Sequence, residues 1–140
     1  MNVEAREFVV CVDGVCLKNG KLLLLKRTTE PFKGCWHIIG GHVEEGETLT
    51  EALRREYKEE TNLNVKVGKI IDGRIEETGD RIKIIVAYKI DSAQGEVKLN
   101  SEHGEYGWFT EMPAETVYDY SKYFAKEGNK PFLSWKKKYQ

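Results

Sequence analysis

Residues 40–63 read GGHVEEGETLTEALRREYKEETNL, and the reading of this stretch decides the fold. Its second half has helical spacing, and acidic residues stand where a helix stores apolar ones. With Leu49 at zero and about 100° per residue, Leu53 falls near about 40°, Tyr57 near about 80° and Ala52 near about −60°. These residues make the core-facing stripe. Glu56 lands near about −20° and Glu60 near about 20°, inside that stripe, while Glu59 flanks it near about −80°. Two carboxylates one turn apart on a buried face repel each other, and each costs several kcal/mol to desolvate unless a cation compensates. A cluster of hard oxygen ligands with few bases nearby suits a divalent metal such as Mg²⁺.

Thr48 and Glu51 form a capping-box pattern at the start of this helix. Asn62 stands where a left-handed residue closes it, so the helix is expected from about 49 to 61. Upstream, Phe8 to Leu17 reads as a strand. Asn19-Gly20 is a hairpin turn, because both residues accept positive φ. Lys21 to Arg27 (KLLLLKR) returns as an apolar strand covered on both faces. Thr28 to Gly34 is a loop, and Cys35 to Ile39 is a short strand leading to Gly40-Gly41. Downstream, a strand is expected over Leu63 to Arg74 with a break at Gly73. Arg81 to Ile90 alternates, with Ile82, Ile84, Val86, Tyr88 and Ile90 on one side. A polar loop spans Asp91 to Gly104, and Tyr106 to Thr110 is a short aromatic strand. Pro113 is expected to open a second helix through about Lys126. The tail holds Phe132, Leu133 and Trp135 before Lys136–Lys138. Strands on both sides of two helices indicate an α/β (α+β) class, with a mixed sheet between helices.

At 140 residues and 16.1 kDa, one domain spanning 1–140 is the simplest expectation. Charged residues make up 32% but nearly cancel to a net −1, which gives no electrostatic case for a nucleic-acid polymer as partner. Acidic substrates then need a bound cation or individual Arg and Lys side chains. Three cysteines (Cys11, Cys16 and Cys35) argue for buried reduced thiols over a disulfide framework. Residues 1–7 are too polar for a signal peptide, and the apolar runs are strand-sized. The expectation is a cytoplasmic protein without membrane association.

Gly41, Glu47, Arg55, Glu56, Glu59 and Glu60 stand at the spacing G-x5-E-x7-R-E-U-x-E-E-x-G-U, with U an apolar residue, and Leu63 fills its last position. The stretch resembles the signature of the Nudix hydrolases. The hairpin ending in Lys26-Arg27, the Gly34-x-Trp36 approach to the Gly pair and the Glu102…Trp108-Phe109 segment extend the resemblance over most of the chain. Asn62 replaces the final Gly and is the next-best residue for a left-handed backbone. Tyr57 takes an apolar position, and Ile39 stands where many members have Pro.

The resemblance implies a Nudix-type mixed sheet between helices. It also implies hydrolysis of a diphosphate bond in a nucleoside diphosphate linked to some group X, with Mg²⁺ or Mn²⁺ as cofactor. Such ions neutralise phosphate oxygens, orient the attacking water and lower its pKa. By position in the signature, Glu56, Glu59 and Glu60 are the metal ligands, with the Gly40 carbonyl adding an oxygen. Glu56 is also a candidate base, and Glu59 shares the catalytic assignment. Gly41, Glu47 and Arg55 support the site, Arg55 holding the preceding loop through Glu47. Glu102 matches a carboxylate that some members supply as metal ligand or base; a solvated loop residue is its alternative reading. Glu105 is a weaker candidate, and His103 beside them reads as a surface residue more readily than as a base. Arg27 matches a phosphate-binding position, with a solvated strand end as the alternative. Trp36, Phe32 and Trp108 are candidates to stack on base or ribose, or are core. The substrate is then a nucleoside triphosphate or a nucleotide sugar such as ADP-ribose, and a homodimer is compatible with the family. A catalytically silent module that binds a nucleotide or a partner is the competing reading; the full set of signature carboxylates weighs against it.

Overall fold

Four consecutive leucines, Leu22–Leu25, are all fully buried, and they set the layering of the molecule. In the computed structural model, which describes residues 6–124, they lie on β3 (Lys21–Arg27). Alternate side chains of a strand point to opposite faces. Leu23 and Leu25 join one core with Ala52, Leu53 and Tyr57, while Leu22 and Leu24 join a second with Tyr120 and Tyr123. The expected coverage of this strand on both faces is therefore observed.

The chain forms β1 (Glu7–Val15), β2 (Leu17–Lys18), β3, β4 (Trp36–His37), β5 (Ile39–His42), α1 (Leu49–Thr61), β6 (Asn64–Thr78), β7 (Arg81–Gln94) and β8 (His103–Phe109). The strands divide into two four-stranded sheets. One runs β5-β1-β7-β6; the other runs β2-β3-β4, with β8 also on β3. The first sheet is mixed, since β1 pairs parallel with β7 and antiparallel with β5. The α+β class stands, with α1 as the main helix among the described residues.

Local chemistry explains most boundaries. Asn19 and Gly20 take φ of 54° and 76°, as a tight hairpin between β2 and β3 requires. The Thr48 hydroxyl accepts the Glu51 N–H at 3.2 Å and the Glu51 carboxylate accepts the Thr48 N–H at 2.8 Å, completing the capping box. Asn62 closes α1 at φ 66°, its N–H donating to the Lys58 carbonyl. Tyr57 lies against β1 at Gly14, where an added Cβ would come within 2.3 Å of the phenol oxygen.

Several expectations are corrected. No second α-helix forms among the described residues: the segment after Pro113 is irregular as far as a 3₁₀ turn, Ser121–Phe124. Its backbone is committed elsewhere, because the Trp36 N–H donates to the Glu115 carbonyl and the Val117 N–H to the Trp36 carbonyl. Thr116, Val117 and Tyr118 are also weak helix formers. β6 does not break at Gly73, which pairs with Val86; its register shifts fall between Lys66 and Asp72. Residues 91–94 and 103–104 are strand rather than loop. β7 buries Ile85 and Ala87 as well as Tyr88 and Ile90, so its alternation does not leave one face wet. Residues 125–140, with the lysine-rich tail, lie outside the described residues. No helix among the described residues is long and apolar enough to cross a membrane.

Candidate active site

α1 presents Glu56 and Glu60 to the Gly40-Gly41 strand, and the loop between them is held by one side chain. Arg55 donates from Nε and Nη2 to the two oxygens of Glu47, at 2.7 and 3.0 Å. Its Nη2 also reaches the His42 carbonyl at 3.0 Å. Its Nη1 meets Glu56 at 2.9 Å and Glu59 at 3.2 Å. Glu47 in turn accepts the Glu44 N–H at 2.8 Å, closing the loop on itself. The Arg55 fork holds the Glu47 carboxyl below its ordinary range, with the Glu44 N–H adding to the effect. A bidentate Arg–carboxylate pair fixes both loop and helix in one register.

Gly41 packs closely against Glu56. An added Cβ would stand 2.5 Å from the Glu56 carboxylate, so a side chain at residue 41 would displace that carboxylate from its place. Glu60 is buried, and its Oε2 has no hydrogen-bond partner among the described residues. Burial pushes the Glu60 carboxyl up to about 9; the charges of Glu56 and Glu102 add to this, while the Gly40 backbone N–H facing it pulls the other way. Burial also raises Glu56, opposed by its bond to Arg55. Glu102 is exposed, its N–H bonded to Asn100 Oδ1 at 3.2 Å. Glu105 is also exposed.

Among the described residues, no three His, Cys, Asp or Glu side chains are gathered around one point, since Glu56 and Glu59 turn to Arg55. The donor chemistry nevertheless fits a divalent ion. A buried carboxylate with an unpartnered oxygen, raised by burial and then by neighbouring negative charge, is stabilised by a hard cation. Glu56, Glu59 and Glu60 are the side chains that would hold it.

His103 is buried rather than on the surface. His37 donates from Nδ1 to the Ile38 carbonyl at 2.7 Å, and its Nε2 lies 2.8 Å from His103 Nε2. His103 Nε2 is 3.8 Å from Glu60 Oε1. Burial brings His37 down to about 4 and lowers His103 too, so the pair backs Glu60 with neutral rings near pH 7. Nothing in the sequence around His37 signals this position.

A cavity of about 460 Å³ opens beside Glu60, and Arg27, Phe32 and His37 also line it. Arg27 is tied to its own loop, donating from Nε to the Pro31 carbonyl at 2.7 Å. Phe32 is 53% exposed and has φ 66°, a left-handed backbone unusual for a bulky residue. Trp36 instead sets its ring edge against Phe109 at 4.8 Å and packs on the second core. Trp108 packs on the first core. The cavity wall thus includes Arg27 and Phe32 of the candidate substrate residues, and neither tryptophan. Asp13 and Arg74, which line it further along, are not among the residues expected from sequence. Burial brings Asp13 up to about 6, with Arg74 opposing.

Replacing Arg55 by Ala removes both links to Glu47 without removing a carboxylate. Activity is expected to fall about 10–100-fold, with a higher Mg²⁺ requirement. A Mg²⁺ titration of initial rates checks this; an unchanged metal requirement would count against the supporting role.

A family model described as "NUDIX domain" matches residues 7–135. The chain is 36% identical over 133 residues to an ADP-ribose pyrophosphatase of Methanocaldococcus jannaschii, covering 91% of this chain and 74% of that protein. It is 36% identical over 106 residues to the nucleoside triphosphatase NudI of Escherichia coli (strain K12), covering 64% of this chain and 73% of that protein. In fold it is similar to a MutT Nudix hydrolase from Burkholderia pseudomallei, with a TM-score of 0.77 at 22% identity over 85% of this chain and 97% of that one. With Glu47, Arg55 and the α1 glutamates arranged as described, these matches establish that the chain belongs to the Nudix hydrolase family.

Proposed function

We propose that this protein hydrolyses a diphosphate bond in a nucleoside diphosphate derivative, with ADP-ribose the first candidate, and that it uses Mg²⁺ or Mn²⁺ held by Glu56, Glu59, Glu60 and the Gly40 carbonyl. The observation that carries this reading is Glu60: a buried carboxylate, with one oxygen unpartnered, on the wall of an open cavity. ADP-ribose ranks first because the match to the archaeal ADP-ribose pyrophosphatase runs over more of the chain than the match to the triphosphatase.

When bound, the cation neutralises phosphate oxygens and lowers the pKa of water at the site. The chain's own residues do the positioning that phosphoryl-type transfer requires. Arg55 and Glu47 hold the end of β5 and the loop after it against α1, so the glycine strand stays beside Glu56 and Glu60. Arg27 and Phe32 line the cavity, which supports Arg27 as the candidate to meet a phosphate and Phe32 as the candidate to stack on the base. Glu102 and Glu56 are the candidate bases; Glu102 is exposed, and its charge is felt at both Glu56 and Glu60.

The test is a panel of nucleoside triphosphates, dinucleoside polyphosphates and nucleotide sugars with Mg²⁺, with products identified by ³¹P NMR in ¹⁸O-water. AMP and ribose 5-phosphate from ADP-ribose are the expected products, and the labelled product shows which phosphorus is attacked. No Mg²⁺-dependent cleavage of any diphosphate would overturn the proposal.

A further inference from the structure

The cavity beside Glu60 continues across one face of the first sheet. Register places Gly40 of β5 beside Asp13 of β1, Ala87 of β7 and Asp72 of β6. The next row on the same face is His42, Cys11, Ile85 and Arg74. From β5 to β6 is three strand spacings, about 14 Å. The floor therefore runs from the glycine loop to Arg74, and Tyr118 walls its far end.

That far end is built of mixed charge. Arg74 donates to Glu76 at 3.1 Å and stands 3.9 Å from Asp13, too far for a hydrogen bond. Its guanidinium lies 3.6 Å from the centre of the Tyr118 ring. Lys83 also lines this end. The segment carrying Tyr118 is anchored on both sides. Trp36 bonds Glu115 and Val117, while Lys122 and Tyr123 meet Asp72 of β6. The wall is thus fastened to both sheets.

Resting on the pyrophosphohydrolase reading above, we propose that Asp13 and Glu76, set by Arg74, are specificity-determining residues that receive a polyhydroxyl group on the far side of the diphosphate. Two carboxylates accept hydrogen bonds from neighbouring hydroxyls, and the adjacent cations donate to hydroxyl oxygens. A terminal phosphate is disfavoured by those carboxylates. Arg74 occupies one face of the Tyr118 ring, and that face is closed to a stacking nucleobase. The substrate that fits is two-ended: a base at Phe32, a diphosphate at the α1 glutamates and a sugar at Asp13.

The experiment compares ADP-ribose with the β-methyl ester of ADP, which lacks the terminal hydroxyls, in the wild type and in Asp13→Asn and Glu76→Gln. Inosine diphosphate ribose varies the base alone. Wild type is expected to prefer ADP-ribose by about tenfold or more in kcat/KM, the size of one or two hydrogen bonds to a charged group. Both variants lose most of that preference through a raised KM for ADP-ribose, with kcat changed much less and the methyl ester handled as in wild type. Glu76 is partly exposed, so Glu76→Gln carries the test even if Asp13→Asn folds poorly. An undiminished preference in folded variants overturns the assignment, as does a penalty that tracks the base instead of the sugar. If wild type cleaves neither probe, the catalytic reading fails separately, and calorimetric binding of ADP-ribose judges the subsite. Weaker binding by the variants supports it, and equal or absent binding overturns it.

Discussion

Glu60→Gln is expected to lower Mg²⁺-dependent turnover by about 10³-fold, the scale on which loss of one preorganised charge-stabilising group acts. Glu56→Gln and Glu59→Gln act in the same direction. Gln keeps the shape of the side chain but removes the charge that holds a cation. Glu60 has the strongest case, because it is buried and its Oε2 has no partner among the described residues. Glu59 is half exposed and Glu56 shares Arg55, so each is partly engaged without a metal. Steady-state rates against ADP-ribose, with circular dichroism to confirm folding, provide the check. Undiminished turnover in all three folded variants would sink the metal-site assignment.

The second large effect is on stability in metal-free buffer. Glu60 titrates near 4.5 when unfolded and at about 9 when folded, so the folded state binds its proton more tightly. A group raised in this way contributes stability that is full below the unfolded value and lost as pH climbs through the folded one. Between pH 4.5 and 7 the loss from this residue is about 3 kcal/mol. Glu60→Gln carries no such proton. In EDTA, wild type should therefore lose stability relative to Glu60→Gln as pH rises toward 9, and Mg²⁺ should restore much of it in wild type only. Urea unfolding of both proteins at pH 5 and pH 8, with and without Mg²⁺, reads this out. Parallel pH dependence in the two would contradict it.

Much of this arrangement is legible in the chain because it rests on local chemistry. The ends of α1 follow from Thr48, Glu51 and Asn62, whose effects reach only a turn or so along the backbone. The core stripe exposes Glu56 and Glu60, because a carboxylate among leucines conflicts with its surroundings at short range. The same logic applies to Asp13, a lone acid within FVVCVDGV, but in a strand it yields one conflict instead of a helical pair. The approach of Arg74 to Asp13, one row away across the sheet, depends on β6 pairing with β7 and β7 with β1, which no local signal encodes. The segment after Pro113 misleads because Val117, Tyr120 and Phe124 have helical spacing. Its backbone bonds go to Trp36, almost eighty residues away along the chain, and tertiary pairing prevails over the periodicity.

The placement of Leu22–Leu25 has a consequence for how the molecule opens. These side chains are divided between the two cores, so one short strand belongs to both. Removing β3 would open both cores at once, whereas displacing α1 would open only the first. β3 also carries the hydrogen-bond ladder to β8 and to β4. Its amides therefore exchange with solvent only in openings that disrupt both layers, which places β3 at the slow end of the exchange hierarchy. α1 and the wall at Tyr118 pack on opposite cores that share that strand, so an opening that displaces β3 is expected to loosen both.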